Sequence, residues 1–269
     1  MQLSPGDGVV EVSRRPAGSV VTRLATRSPL RLLTPKNHGT AAWIVATSYG
    51  GGLVDGDALS LLIRVGLGAA AYVATQSSTK IYPGRAAQTI EADVADDALL
   101  VALPDPIVPF AGAAYAQRAT IRLAPGASLV WLESLVAGRT ARGERWSFDS
   151  YRSHTRIERD GAALALDGLV LDPRHGPLAP RLGDFDALAT LIAVGRRAAP
   201  LRAELAAATG DVLVAPSPIA DDATLVRVAA PGAESLARAL RALLAPTVIL
   251  LGDDPFARKG SLAWDDAMR

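Results

Sequence analysis

Between Gly8 and Asp172 the chain is cut by Gly, Pro and Asp into strand-length segments of mixed polarity, and the apolar spacing that a helix needs is hardly sustained anywhere in it. A chain patterned this way folds mainly as β. The clearest alternation runs over Gln117–Leu123, where Ala119, Ile121 and Leu123 point one way and Arg118, Thr120 and Arg122 the other, which predicts a half-buried strand. Pro125-Gly126 then supplies a turn, and Ser128–Glu133 resumes with Leu129, Trp131 and Glu133 on one side; the two segments read as an antiparallel pair. A second hairpin is expected from Tyr151, Ser153, Thr155 and Ile157 on one face, Asp160-Gly161 at the turn, and Leu164 and Leu166 returning. Leu59–Val65, Tyr72–Tyr82 and Leu99–Leu103 are further strand candidates.

After Asp172 the pattern changes. Phe185–Val194 is a short apolar run that reads as a strand or as the start of a helix, Arg197–Ala208 is helix-like, and Val212–Val214 and Leu225–Val228 read as strands. Glu234–Leu244 follows as a helix with Leu236, Leu240, Leu243 and Leu244 on one stripe. The order resembles a split β-α-β unit. The expected division is a β-rich core over 1–172 and a smaller α+β part over 173–269 that does not fold by itself, with the boundary in the Pro-, Gly- and Arg-rich stretch 172–183.

A chain of 269 residues, 49% hydrophobic, can bury a substantial core. Its 28 Lys and Arg against 27 Asp and Glu leave a net charge of +1, so no global field favours nucleic acid or an anionic membrane surface. The absence of cysteine excludes disulfides, thiolate metal sites and cysteine nucleophiles, and agrees with a reducing compartment. Met1–Val10 does not read as a secretory signal, and the longest uncharged stretch, Asn37–Val54, is too polar and glycine-rich to span a bilayer. The expectation is a soluble cytoplasmic protein.

Motifs that carry chemistry are few. Gly66–Ala71 imitates a dinucleotide-binding turn, but Tyr72–Tyr82 reads as a strand where that fingerprint needs a helix to receive the pyrophosphate. His38, His154 and His175 are scattered, with none at the spacing that puts two imidazoles on one helix face. In Gly50–Asp57 three successive glycines precede Asp55 and Asp57, two carboxylates that either bind a cation transiently or cap a tight turn. Thr75–Lys80 is a polar run inside a strand-like segment, so one of its faces must meet water, a channel or a partner. Gly138–Trp146 combines Arg139, Arg142, Arg145 and Trp146 with flanking glycines, the composition of a binding loop. No hydrolase, glycosidase or metalloenzyme signature emerges.

Four segments in this order resemble the UreD (UreH) family of urease accessory proteins: Gly51–Asp57, Thr75–Tyr82, Leu103–Phe110 and Gly138–Phe148. The most specific stretch runs from Leu103 through Gln117, Gly126–Leu129 and Glu133 to Gly143–Trp146, and the resemblance covers Arg31–Gly168; the tail Lys259–Arg269 departs from the ending expected of the family. The resemblance implies strands wound in a helix-like, sandwich-like arrangement with a smaller helical part. It also implies a non-enzymatic scaffold that binds a helical UreF-like partner bridging to a UreG-like GTPase, docks on apo-urease, and guides nickel along an internal polar path. No cofactor is then tightly bound, and nickel is handled transiently. Asp55, Asp57, Glu133 and Glu144 are the acidic members of the family-like segments and the candidates for the nickel path; Arg139, Arg142, Arg145 and Trp146 are the candidates for the partner surface. The rival readings are a hydrolase using Asp55 or Asp57 and a purely structural β-protein.

Overall fold

The computed structural model describes residues 2–205 and 211–257. The tail Lys259–Arg269 and the end of the helix expected over Arg197–Ala208 lie outside the described residues.

Strands β1 (Asp7–Arg15) and β2 (Gly18–Thr26) form an antiparallel hairpin, and β3 (Leu30–Leu33) follows. The chain then winds into coils, the first three of three strands each. The first coil is β4 (Ala42–Ser48), β5 (Gly52–Leu53) and β6 (Ala58–Val65); the second is β7 (Ala70–Thr75), β8 (Thr79–Ile81) and β9 (Gly84–Val94). The third is β10 (Leu99–Ala102), β11 (Ile107–Pro109) and β12 (Ala113–Leu123), and the fourth runs through β13 (Ser128–Val136) and β14 (Ser150–Arg159). Corresponding strands pair in parallel, coil on coil. Ala58 lies beside Ala87 and Ala87 beside Ala116, and Ala42 beside Ala71, so these turns, measured on the broad faces, take 29 residues. On the short third side Gly52 meets Lys80, Thr79 meets Ile107 and Ile107 meets Leu135. The result is a coiled stack with two broad parallel faces.

This arrangement corrects the expected pairing of Gln117–Leu123 with Ser128–Glu133. The turn at Pro125-Gly126 is a corner between the two broad sheets: β12 pairs in parallel with β9 and β14, and β13 pairs in parallel with β10. Local alternation identifies a strand and its faces but is silent about its neighbour, and here the neighbour is one coil away. Tyr72–Tyr82, expected as one strand, is broken into β7 and β8 at Gln76–Ser78, where the chain turns from a broad face to the narrow one.

The expected hairpin is present as β14 and β15 (Ala162–Leu171), antiparallel, with Asp160 and Gly161 both at positive φ as a tight two-residue turn requires. The first sheet has the order β15-β14-β12-β9-β6-β1-β2. Beyond Asp172 come α1 (Leu178–Leu182), β16 (Ala187–Val194), α2 (Ala199–Glu204), β17 (Leu213–Ala220), β18 (Ala223–Ala230), α3 (Ala233–Leu243) and α4 (Thr247–Leu251). Phe185–Val194 is therefore a strand, and β18 lies antiparallel between β16 and β17, the split β-α-β order. These three strands extend the second sheet, since β16 runs antiparallel to β13 over eight residue pairs.

Two apolar layers result. Between the sheets lie residues such as Ile44, Ile63, Leu100, Ile121, Leu129 and Ile157. On the outer side of the second sheet Trp43, Tyr72, Val101, Leu132 and Leu191 meet the stripe Leu236, Leu240, Leu243 and Leu244 of the helical part. Among the described residues the outer face of the first sheet carries no such cover. It is crossed by a ladder of half-exposed ion pairs, Arg23–Glu11–Arg64–Asp93–Arg122–Glu91, each worth little by itself but together keeping that face wet.

We propose that the two parts fold as one unit. Residues 1–172 alone would leave β13 without its β16 ladder and expose the Val101–Leu132 layer. That fragment is expected to lack a cooperative thermal transition, whereas the whole chain melts in one step; a sharp transition in the fragment, read by circular dichroism, would contradict this.

Candidate functional site: a carboxylate between the sheets

In β13 the side chains alternate between the two layers: Leu129, Trp131 and Leu135 face the first sheet, Val130, Leu132 and Val136 the helices. Glu133 falls on the inward side. Its carboxylate accepts from Ser153 Oγ at 2.5 Å and from Thr155 Oγ1, both on β14 in the opposite sheet, and from Trp131 Nε1 at 3.1 Å. Among the described residues no Lys or Arg forms an ion pair with it. The carboxylate is thus held by neutral donors and has no ion-pair partner among the described residues.

The polar surroundings continue along the stack. Gln88, Gln117 and Ser153 occupy one register row on successive strands of the first sheet, and the Tyr115 hydroxyl lies 3.1 Å from Oε1 of both Gln88 and Gln117. Tyr115 and Tyr151 stack at 5.8 Å between centroids. Burial pushes both phenols well up from their ordinary range, and the nearby Glu133 charge adds to this, so both stay protonated and serve as neutral groups. Beyond Gln88 a cavity of 50 Å³ is lined by Thr75, Gln76, Ser78 and Ser48, and beyond Glu133 a cleft of 350 Å³ opens between the sheets. The polar run Thr75–Lys80 thus faces the interior in part, with Ser78 buried.

The other candidate carboxylates are placed apart from this row. Asp55 sits directly against Gly84, where a Cβ would come within 2.5 Å of it, and its Oδ1 accepts from Arg85 N at 2.8 Å. Asp57 Oδ2 accepts from Val54 N at 2.8 Å and closes its own turn, at the rim of a cleft of 1080 Å³. Glu144 takes Arg139 Nε at 2.9 Å and Ala111 N at 3.2 Å, and the guanidinium holds its carboxyl below the usual range. The three carboxylates are engaged in building turns and a loop. Among the described residues no group of three or more His, Asp or Glu is arranged to hold a metal ion.

The loop expected as a partner surface is largely tied down. Arg139 pairs with Glu144 and lies 4.1 Å over the Phe110 ring, and Arg145 pairs with Asp186 and donates to Gly183 O at 2.5 Å. Trp146 is 4% exposed, its indole N–H donating to Phe185 O at 3.2 Å and its ring set against Phe148. Arg142 is exposed and forms no ion pair among the described residues. Residue-level reasoning missed Gln88, Gln117, Tyr115 and Tyr151; the signal available was polar side chains on inward positions of alternating strands, two of them 29 residues apart.

The family model for the UreD urease accessory protein matches residues 4–258. The chain belongs to the UreD family. Two relatives named urease accessory protein UreD support this: one from Sorangium cellulosum (strain So ce56) is 48% identical over 94% of this chain and 84% of its own length, and one from Anaeromyxobacter sp. (strain Fw109-5) is 43% identical over 95% and 90%. Urease accessory protein D of Oryza sativa subsp. indica is 35% identical over 70% of this chain and 64% of its own length. This UreD-family chain is an accessory protein of urease maturation and not itself an enzyme. No helix among its described residues is long and apolar enough to cross a membrane.

Trp146→Ala removes a buried ring and is expected to cost about 3–5 kcal/mol, while Arg142→Ala stays within about 0.5 kcal/mol of wild type. Urea denaturation of both variants decides; equal stabilities would mean that Trp146 does not anchor the loop.

Proposed function

We propose that this chain is the scaffold that guides nickel into apo-urease, working in the cytoplasm in a complex with UreF-like and UreG-like accessory partners. Nickel is its cargo, held transiently, and the Glu133 row between the sheets is its route. The observation that carries this reading is Glu133 itself: an inward carboxylate with no ion-pair partner among the described residues, at one end of a row of amides and hydroxyls. A single carboxylate with neutral neighbours suits passage, since a relay must give its ion up, whereas a closed cage of imidazole and thiolate retains it. Asp55, Asp57 and Glu144 lie apart from this row, and each accepts backbone or guanidinium hydrogen bonds that fix a turn or a loop.

Glu133→Gln keeps the shape of the side chain and removes its charge. It is expected to lower the nickel content of urease matured in its presence, measured by elemental analysis, while costing at most about 2 kcal/mol of stability. Wild-type nickel content with this variant would sink the route.

For the partner surface, Arg142 is the loop residue free to meet another protein, and arginine is enriched among interface anchors. Arg142→Glu is expected to weaken capture of a UreF-like partner or of apo-urease at least roughly tenfold, the equivalent of ~1.4 kcal/mol. Undiminished capture of both would place the interface elsewhere.

A further inference from the structure

We propose that the ion pair between Asp167 and Arg227 is a latch over the cleft that opens onto Glu133, released when a divalent cation takes the guanidinium's place beside Asp167. The inference rests on the reading of Glu133 as part of an ion route. Asp167 belongs to β15 at the edge of the first sheet and Arg227 to β18 in the second, so the pair bridges the two sheets. Arg227 Nη1 lies 3.1 Å from Asp167 Oδ2 and 2.6 Å from Thr190 Oγ1.

Strand register ties this pair to the internal site. Asp167 lies beside Thr155, which donates to Glu133; Arg227 lies beside Thr190, which lies beside Glu133. Two facing rungs result. Their inner ends are joined by the Thr155–Glu133 bond, their outer ends by Asp167–Arg227, and the cleft of 350 Å³ between them is lined by Glu133, Tyr151, Asp167, Thr190 and Arg227. Among the described residues that line it, Arg227 is the one cation.

The two partners are unequally placed. The Asp167 side chain is 9% exposed and Arg227 is 46% exposed, so the guanidinium can swing into water while the carboxylate stays at the mouth. Opening need not part the sheets, because Arg159 and Asp222 bridge them near the β14–β15 turn at 2.9 Å. A cation reaching the mouth meets Asp167 first and Glu133 behind it. Arg227 then recloses the mouth once the ion has passed.

The test uses the full chain labelled with 5-fluorotryptophan. Trp131 donates to Glu133, so its fluorine resonance, assigned with Trp131→Phe, reports on the bottom of the cleft. Two paramagnetic probes are added in turn, nickel chloride and the neutral nitroxide 4-hydroxy-TEMPO. Arg227→Gln is expected to raise broadening of the Trp131 line by both probes roughly fivefold, the scale of the ~1 kcal/mol that a partly exposed ion pair contributes, with Arg227→Lys close to wild type. Unchanged nitroxide broadening in Arg227→Gln overturns the latch. Increased nitroxide broadening without any nickel effect sustains the pair as the cover of the cleft but overturns the ion route, and with it release by a cation. If the dispersion of the other tryptophan lines shows that Arg227→Gln has not folded, Asp167→Asn severs the same pair from the other side and carries the same expectations.

Discussion

The parallel ladder between successive coils is the constraint on which the rest of the structure depends. The strands of a coil lie on different faces of the stack, so most of their backbone groups are satisfied by the coils before and after them. The ladder therefore fixes the length of a turn, and with it which side chains point inward, since a shift of one residue would send every inward group out. Extra chain is admitted only where it can leave the stack. Ala114 lies beside Ser150, 36 residues on where earlier turns take 29, and the surplus forms the loop that carries Arg139, Arg142 and Glu144. That loop is secured by its own ion pairs because the ladder does nothing for it.

The same ladder explains how a polar row can exist inside the protein. Inward positions of β6 are Leu59, Leu61, Ile63 and Val65, and the first turn is an ordinary apolar core. At the level of Leu59 the next strands place Gln88, Gln117 and Ser153, one above another. Burying an amide or a hydroxyl is costly unless it is hydrogen-bonded, and stacking supplies partners from the neighbouring turn. Tyr115 reaches both glutamines, and Ser153 and Thr155 reach Glu133. The row persists because each member meets another member.

Much of this was legible in the sequence, strand by strand. The faces of Gln117–Leu123, the turn at Asp160-Gly161 and the stripe of Leu236, Leu240, Leu243 and Leu244 all follow from period and turn chemistry, which are local. Pairing is not local, and Pro125-Gly126 looks the same whether it joins neighbours in one sheet or turns a corner between two. A longer period carried the missing information. Gly68, Asp97 and Gly126 recur at corresponding corners 29 residues apart, and Gly56, Gly84 and Gly112 recur 28 apart, all three at positive φ. For the site, alternation already put Glu133 on the side of Leu129 and Trp131, which is the inward side. For the loop, arginine and tryptophan between glycines have the same composition whether they face a partner or, as the buried Trp146 does, the protein's own interior.

On the proposed reading, the chemistry of the donors around Glu133 matters as much as the carboxylate. Had a lysine or arginine compensated the charge, an arriving cation would have to displace a like charge from a covered place, and Glu133 would be closed to it. Serine and threonine hydroxyls behave differently: each donates one hydrogen bond but also carries two lone pairs, so rotation about one bond turns a donor to the carboxylate into a ligand for a cation. Ser153 and Thr155 can therefore exchange roles as an ion arrives and resume them as it leaves, with no strand moving. Arg227 sits one step further out, at the mouth, where its charge opposes casual entry yet its exposure lets it yield. Placing the hydroxyls inside and the guanidinium outside separates the two tasks, lowering the barrier within the route and setting the barrier at its entrance.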